Sequence, residues 1–263
     1  MADLQRLAIA PQQICRQKVF LTVEQHHYLE RVLRLGVGDR FIIMDGEGKW
    51  WLAKLTPDIS RKTELTAVLE QEISIQNELP IEITLISALP KGNSFDEVVR
   101  QSTELGITHI FPVISSRTVL KPSPQKLKRW QKIATEAAEQ SERQVVPKIR
   151  ETVEYSVALS LFEKQNLFTN YHKYICVARN NYPLLLESLL DNQKLESIVI
   201  ATGPEGGWTN GEIEGAIARG FQAVSLGKRI LRGVTAPLVA LSLVAAVLER
   251  KKYSPTRQLK TKD

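Results

Sequence analysis

Residues 203–208, "GPEGGW", close an apolar run, "SIVIAT" at 197–202, and lead straight into a helical pattern. The same arrangement follows at once: "FQAVSLG" at 221–227, the turn "LGKRILRG", and an apolar helix beginning at Thr235. A glycine-bearing turn between a strand and a helix is the usual cradle for a phosphate. Here the details oppose that chemistry. The first turn is not G-x-G-x-x-G, and G-x-x-x-x-G-K-[ST] occurs nowhere in the chain. Glu205 would also set a carboxylate against any bound phosphate. A ligand bearing positive charge, or amine and hydroxyl donors, suits the first turn better.

The second turn offers backbone groups and the aliphatic side chains of Leu226, Ile230 and Leu231, which could flank a flat ring. S-adenosylmethionine meets both requirements, since the adenine edge wants backbone hydrogen bonds and its faces want aliphatic contacts. The residues alone leave an alternative open, in which both turns are ordinary connections and glycine only terminates helices. His26 and His27 invite a metal reading, but adjacent residues on a helix diverge and no third ligand stands at useful spacing. No metal is expected. Cys15 and Cys176 form neither a disulfide framework nor a metal motif, so a reducing, cytoplasmic setting is the expectation. Residues 1–20 carry no secretory pattern, and the longest apolar run, 236–248, is too short to span a bilayer.

The charge is +6 and unevenly placed. Residues 121–150 hold eight basic groups against three acidic, and residues 250–263 hold six against one. Clustered Lys and Arg neutralise phosphates well, so a nucleic-acid partner fits this pattern. A solvated helix face with a solubilising tail fits it equally.

The elements that must position these turns fall into two kinds. Up to residue 73 the pattern is mostly strand: "DRFIIMD" (39–45) and "GKWWLAKL" (48–55) form a hairpin around Gly46 and Glu47, and "TELTAVLEQEI" (63–73) supplies another strand. One helix interrupts them, with Thr22 and Gln25 at capping-box spacing before "EQHHYLERVLRL". From Ile81 strands and helices alternate. "IEITLISAL" precedes a helix with a second capping-box spacing at Ser94 and Glu97, and a long helix opens at Ser123 and Pro124. Alternation of this kind predicts a largely parallel α/β sheet. The expected division is a small domain over 1–73, an α/β domain over 74–250, and a basic, disordered tail over 251–263.

"GPEGGWTNGEI", then "VSLGKRILR" and "TA" entering an apolar helix, resemble the C-terminal signature of the RsmE family. These are the 16S ribosomal RNA (uracil-N3) methyltransferases of the SPOUT superfamily. "HHYLERVLRLGVGD", "LPKG", "TELGI", "PVISSRTV" and "RWQKIATEAAEQSERQVVPKI" agree in order, so the resemblance spans most of residues 6–248. It implies a PUA-like, RNA-binding β-barrel followed by an α/β domain threaded into a deep trefoil knot, whose paired turns clasp one S-adenosylmethionine. It also implies a homodimer acting on uridine 1498 of 16S ribosomal RNA or of the assembled small subunit. On this basis Thr202, Gly203, Glu205, Gly206, Gly207, Leu226, Gly227, Ile230, Leu231, Thr235 and Ala236 are expected to hold the cofactor.

Arg232 is the candidate for stabilising the uracil anion, with a helix-capping or dimer-interface arginine as the alternative. Glu205 is a weaker candidate for general base than for fixing its own loop. The expected RNA contacts are Arg6, His27, Arg31, Arg34, Lys91, Arg117, Arg129, Gln140 and Arg143, of which His27, Arg31 and Arg34 would share one helix face. The chain departs from the family pattern at Gly233 and Val234, where Thr-Glu is usual, at Gln101, where Lys is common, and at Glu142, where a small residue is common. Ribose 2′-O-methylation and a non-catalytic role in ribosome assembly are the two competing readings.

Overall fold

The computed structural model describes residues 4–57, 65–119, 122–162, 171–179, 181–192 and 194–250; the basic tail lies outside them. The chain forms two compact units, one of residues 1–78 with 134–146, the other of 79–133 with 147–263.

The first unit carries a six-stranded sheet of order β1-β4-β5-β6-β3-β2. Its strands are β1 (Arg6–Ala8), β2 (Ile14–Cys15), β3 (Lys18–Phe20), β4 (Arg40–Met44), β5 (Trp50–Pro57) and β6 (Leu65–Ile73). All neighbours are antiparallel except β1 and β4. The β4–β5 hairpin closes with Met44 opposite Trp50, and the Asp45 carboxylate accepts the amides of Glu47 and Lys49 at 2.8 and 2.9 Å. Alternation along the strands sends Leu7, Val19, Phe41, Ile43, Ala53, Leu55 and Ala67 into one core, joined by Leu29 from the helical insert. That insert opens as expected. Thr22 accepts the Gln25 amide and Gln25 Oε1 accepts the Thr22 amide, ahead of α1 (Val23–His27).

The expected single helix does not continue. Residues Tyr28–Val32 form a π-helical turn, with the Leu33 amide reaching back to the Tyr28 carbonyl at 3.0 Å. Arg34 then lies in the left-handed region at φ 59°. A wider turn followed by a left-handed residue breaks the i, i+4, i+7 stripe proposed for His27, Arg31 and Arg34.

In the second unit the sheet order is β10-β8-β7-β12-β11-β13, with β9 beside β8, and every pairing is parallel. Its elements are β7 (Glu82–Ala88), α2 (Phe95–Glu104), β8 (His109–Ile114), α3 (Pro124–Gln140), β9 (Lys148–Ile149), β10 (Val153–Glu154), α4 (Tyr155–Leu161), β11 (Tyr171–Cys176), α5 (Leu185–Asp191), β12 (Ser197–Thr202), α6 (Asn210–Ala218), β13 (Gln222–Val224) and α7 (Thr235–Arg250). From residue 134 onward, α3 groups with the first unit. The central strand β12 is buried at all six positions, as an unbroken apolar run between parallel neighbours should be.

Helix α7 packs on α2, α5 and β12 through Pro237, Ala240, Leu241, Val244, Val247 and Leu248. Burying each of its larger side chains contributes roughly 1.5–3 kcal/mol. The capping box expected at α2 is absent. Ser94 already has helical backbone angles (φ −63°, ψ −18°) and its side chain caps nothing. A residue inside the helical region cannot swing its hydroxyl back over the third amide, which requires an extended N-cap. Among the described residues no helix is long and apolar enough to cross a membrane.

Candidate active site

Parallel strands share a direction, so their carboxyl ends all open on one edge of the sheet, where ligands of such folds bind. On that edge the 203–208 turn after β12 and the 225–233 turn after β13 face one cavity of ≈ 280 Å³. Gly203, Glu205, Gly206, Gly207, Leu226, Gly227, Ile230, Leu231 and Ala236 line it, together with Arg232. Thr202 and Thr235 are not in its wall. Thr202 is fully buried at the end of β12, and Thr235 starts α7 with its amide on the Arg232 carbonyl at 2.9 Å.

Two of the glycines make room for protein rather than for ligand. A Cβ on Gly203 would come within 3.2–3.3 Å of the Trp208 ring, and one on Gly206 within 3.1 Å of Arg117 Cδ. Gly207 and Gly227, at φ +69° and +110°, are required instead by backbone conformation. Trp208, absent from the sequence-based site, also lines the cavity. It stacks on Tyr155 at 4.3 Å between centroids, and its indole N–H has no hydrogen-bond partner among the described residues.

The turn is tied to its surroundings at several points. Glu205 Oε1 accepts the backbone N–H of Lys91 at 3.0 Å, which puts this carboxylate to work fixing the loop. Thr209 and Glu212 form a capping box at the start of α6, and burial, which opposes ionisation of Glu212, is outweighed by hydrogen bonds from Thr209 and Ser116 that hold its carboxyl below the usual range. Gly233 is not forced by space, since a Cβ there would meet Glu205 and Pro90 at an ordinary 3.6 Å.

The third contributor was missed. The carboxyl end of β11 brings Cys176, Val177, Ala178 and Arg179 into the cavity wall, and Arg229 joins from the second turn. Burial pushes the Cys176 thiol up to about 12, so it stands there as a small neutral group. The edge rule applied to β11 would have found this segment; without a glycine turn it drew no notice. With Arg117, Arg179, Arg229 and Arg232 against Glu205, the described wall is rich in guanidinium. Its aliphatic residues and its size, near the small end of the usual range for ligand pockets, fit a purine-bearing ligand. Among the described residues no group of three or more His, Cys, Asp and Glu could hold a metal ion.

The residues expected to touch RNA divide by what they already hold. In the first unit Arg143 is only 4% exposed and its guanidinium is taken by Glu78 at 2.6 Å, so it is a structural ion pair and not a surface contact. Arg6 pairs with Glu142 and lies 5.9 Å from the Trp50 ring centroid. Glu142 adopts φ 59°, a left-handed conformation that non-glycine residues seldom take, and its carboxylate is the partner of Arg6. His27, Arg31, Arg34 and Gln140 are exposed. In the second unit Lys91 is exposed, Arg129 pairs with Asp96 at 2.7 Å, and Arg117 donates to the carbonyl of Gly206. The side chain of the departing Gln101 donates to Glu97 at 3.5 Å.

A family model for an RNA methyltransferase domain matches residues 77–245, and one for an RNA methyltransferase PUA domain matches residues 21–66. The chain is 50% identical over 244 residues to ribosomal RNA small subunit methyltransferase E of Synechocystis sp., spanning 93% of this chain and 78% of that protein. It is 31% identical over 252 residues to the protein of that name from Bacillus subtilis, spanning 91% and 94%. The crystal structure of a ribosomal RNA small subunit methyltransferase E from Neisseria gonorrhoeae, bound to S-adenosyl methionine, superposes with a TM-score of 0.80 at 35% identity, spanning 93% of this chain and 98% of that one.

Proposed function

The chain belongs to the ribosomal RNA small subunit methyltransferase E family, and from that membership we propose that it methylates N3 of a single uridine, position 1498, of 16S ribosomal RNA. The observation that carries this reading is the single cavity faced by both glycine turns, lined by aliphatic side chains and by guanidinium groups. S-adenosylmethionine supplies an electrophilic methyl group on a sulfonium centre. Leu226, Ile230 and Leu231 would hold its adenine, with the backbone of the two turns available to the ring edge.

Uracil N3 is part of an imide, so its lone pair becomes available only once the N3–H proton has left. The resulting negative charge spreads over the two flanking carbonyl oxygens. Arg232, exposed in the cavity wall, stabilises that charge, and the base must be extruded from its stack to reach it. His27, Arg31, Arg34 and Gln140 remain exposed in the first unit for contact with the RNA backbone. We assign the two turns to the loops of a trefoil knot, and the working form to a cytoplasmic homodimer.

The test uses small ribosomal subunits from a strain lacking this protein, incubated with the purified enzyme and radiolabelled S-adenosylmethionine. Digestion and mass spectrometry should return 3-methyluridine from that one position. Methylated ribose would reassign the chain to 2′-O-methylation. Cofactor binding without transfer to any subunit or RNA would leave an assembly role.

A further inference from the structure

A turn made of Gly203, Pro204, Glu205, Gly206 and Gly207 has little of its own to hold a shape. Its internal support is one bond, from the Gly207 amide to the Pro204 carbonyl at 2.8 Å. Glycine has more backbone freedom to lose than any other residue, so order must be imposed from outside. The Lys91 amide imposes part of it through Glu205, and the loop after β8 imposes the rest. Arg117 Nη1 donates to the Gly206 carbonyl at 2.6 Å and lies 3.5 Å from that of Trp208. Beside it, the Ser116 amide donates to Glu212 Oε1 at 2.8 Å, while Oε2 accepts the amide and hydroxyl of Thr209 at 2.8 and 2.9 Å. One carboxylate thus caps α6 and anchors the loop that carries Arg117. The absence of a side chain on Gly206 is what lets the arginine lie across the turn.

We propose that Arg117 is a positioning residue for the cofactor: its guanidinium, anchored through Ser116 and Glu212, clamps Gly206 and keeps the 203–208 turn in its ligand-ready shape. This rests on the methyltransferase reading above, and it moves Arg117 from the RNA-binding set to the cofactor side of the site. A preorganised turn loses less entropy when its ligand binds, so the clamp acts on affinity rather than on the chemical step.

Isothermal titration with S-adenosylmethionine, on the full chain, tests it. Arg117→Ala should weaken binding about tenfold, the size expected for losing one charge-assisted hydrogen bond at a partly exposed site. The KM for cofactor should rise in step, with kcat at saturating cofactor little changed and Arg117→Lys recovering part of the loss. Gly206→Ala should weaken binding in the parent chain and add less to Arg117→Ala, because the Arg117 Cδ that its methyl meets at 3.1 Å is gone and only the Cβ at 3.3 Å remains. Thermal melts establish that each variant is folded. Unchanged cofactor affinity in folded Arg117→Ala, with weaker and less salt-dependent RNA binding, would overturn the proposal and return Arg117 to RNA contact. Additive losses in the double variant would overturn it as well. A parent chain that fails to bind S-adenosylmethionine would instead sink the functional reading beneath it.

Discussion

Arg232 shows how one residue serves two ends of the same turn. Its carbonyl accepts the amides of Thr235 and Ala236 at 2.9 and 3.0 Å and so starts α7, while its side chain lies exposed in the cavity wall. The backbone role is indifferent to the side chain, which permits a clean substitution. Arg232→Ala should leave folding and cofactor affinity close to those of the parent and lower kcat by roughly 10²–10³-fold, the usual effect of removing one donor to a developing oxyanion. Single-turnover kinetics on small subunits, beside a cofactor titration, would read the two effects separately. A folded variant with parental kcat would show the anion to be stabilised by another group of the wall, with Arg179 and Arg229 next in line. Glu205 and Arg232 stood out in the sequence because they sit in glycine-rich turns. Arg179 did not, because its neighbours are unremarkable and only the strand beneath it places it there.

At the scale of elements, apolar patterning made most strands legible. "SIVIAT" became β12 without adjustment, and the hairpin about Gly46 formed as expected. Capping spacings were less reliable. Thr22–Gln25 closes a box and Ser94–Glu97 does not, although the two patterns are equivalent on paper, because the N-cap backbone angle depends on the chain before it. The π turn at Tyr28–Val32 was likewise invisible to a count of apolar residues. The C-terminal half of α3 supplied a further surprise in Glu139. Burial first, then the neighbouring charge of Glu136, raises its carboxyl to about 7 against the opposing hydrogen bond from the Ala8 amide at 2.6 Å.

A carboxyl raised above its unfolded value binds its proton more tightly in the folded state. Its contribution is therefore complete below about pH 4.5 and is lost as pH climbs through 7. The loss is at most on the order of 3 kcal/mol. Glu139→Gln keeps an oxygen for the Ala8 amide and removes the charge. It should raise the melting temperature at pH 8 and leave it nearly unchanged at pH 4.5. Equal shifts at both values would mean that Glu139 is not strained by ionisation.

For the whole molecule, α7 poses a question that one chain does not answer. A helix apolar nearly all round needs cover on more than one side. One face packs on α2, α5 and β12 and buries Ala240, Leu241 and Val244, while Leu238, Val239 and Leu243 on the same helix stay partly exposed. Helix α5, packed against α7, adds exposed Leu186 and Leu190, with Leu184 just ahead of it. Scattered exposed leucines are ordinary, but a cluster along two adjoining helices is the kind of surface that a second subunit covers. A stable symmetric contact buries about 800 Å² on each partner, which two helices of this length can supply. We therefore expect light scattering at micromolar concentration to give twice the mass of one chain. Leu243→Glu, placing a charge in that seam, should halve the mass while the far-ultraviolet circular dichroism stays native. Loss of methyl transfer in the resulting monomer, with S-adenosylmethionine still bound, would mean that the RNA-binding side of the site is completed by the partner. Retained transfer would make the dimer a stabilising device alone, and a parent chain of single mass would leave this apolar face to some other cover.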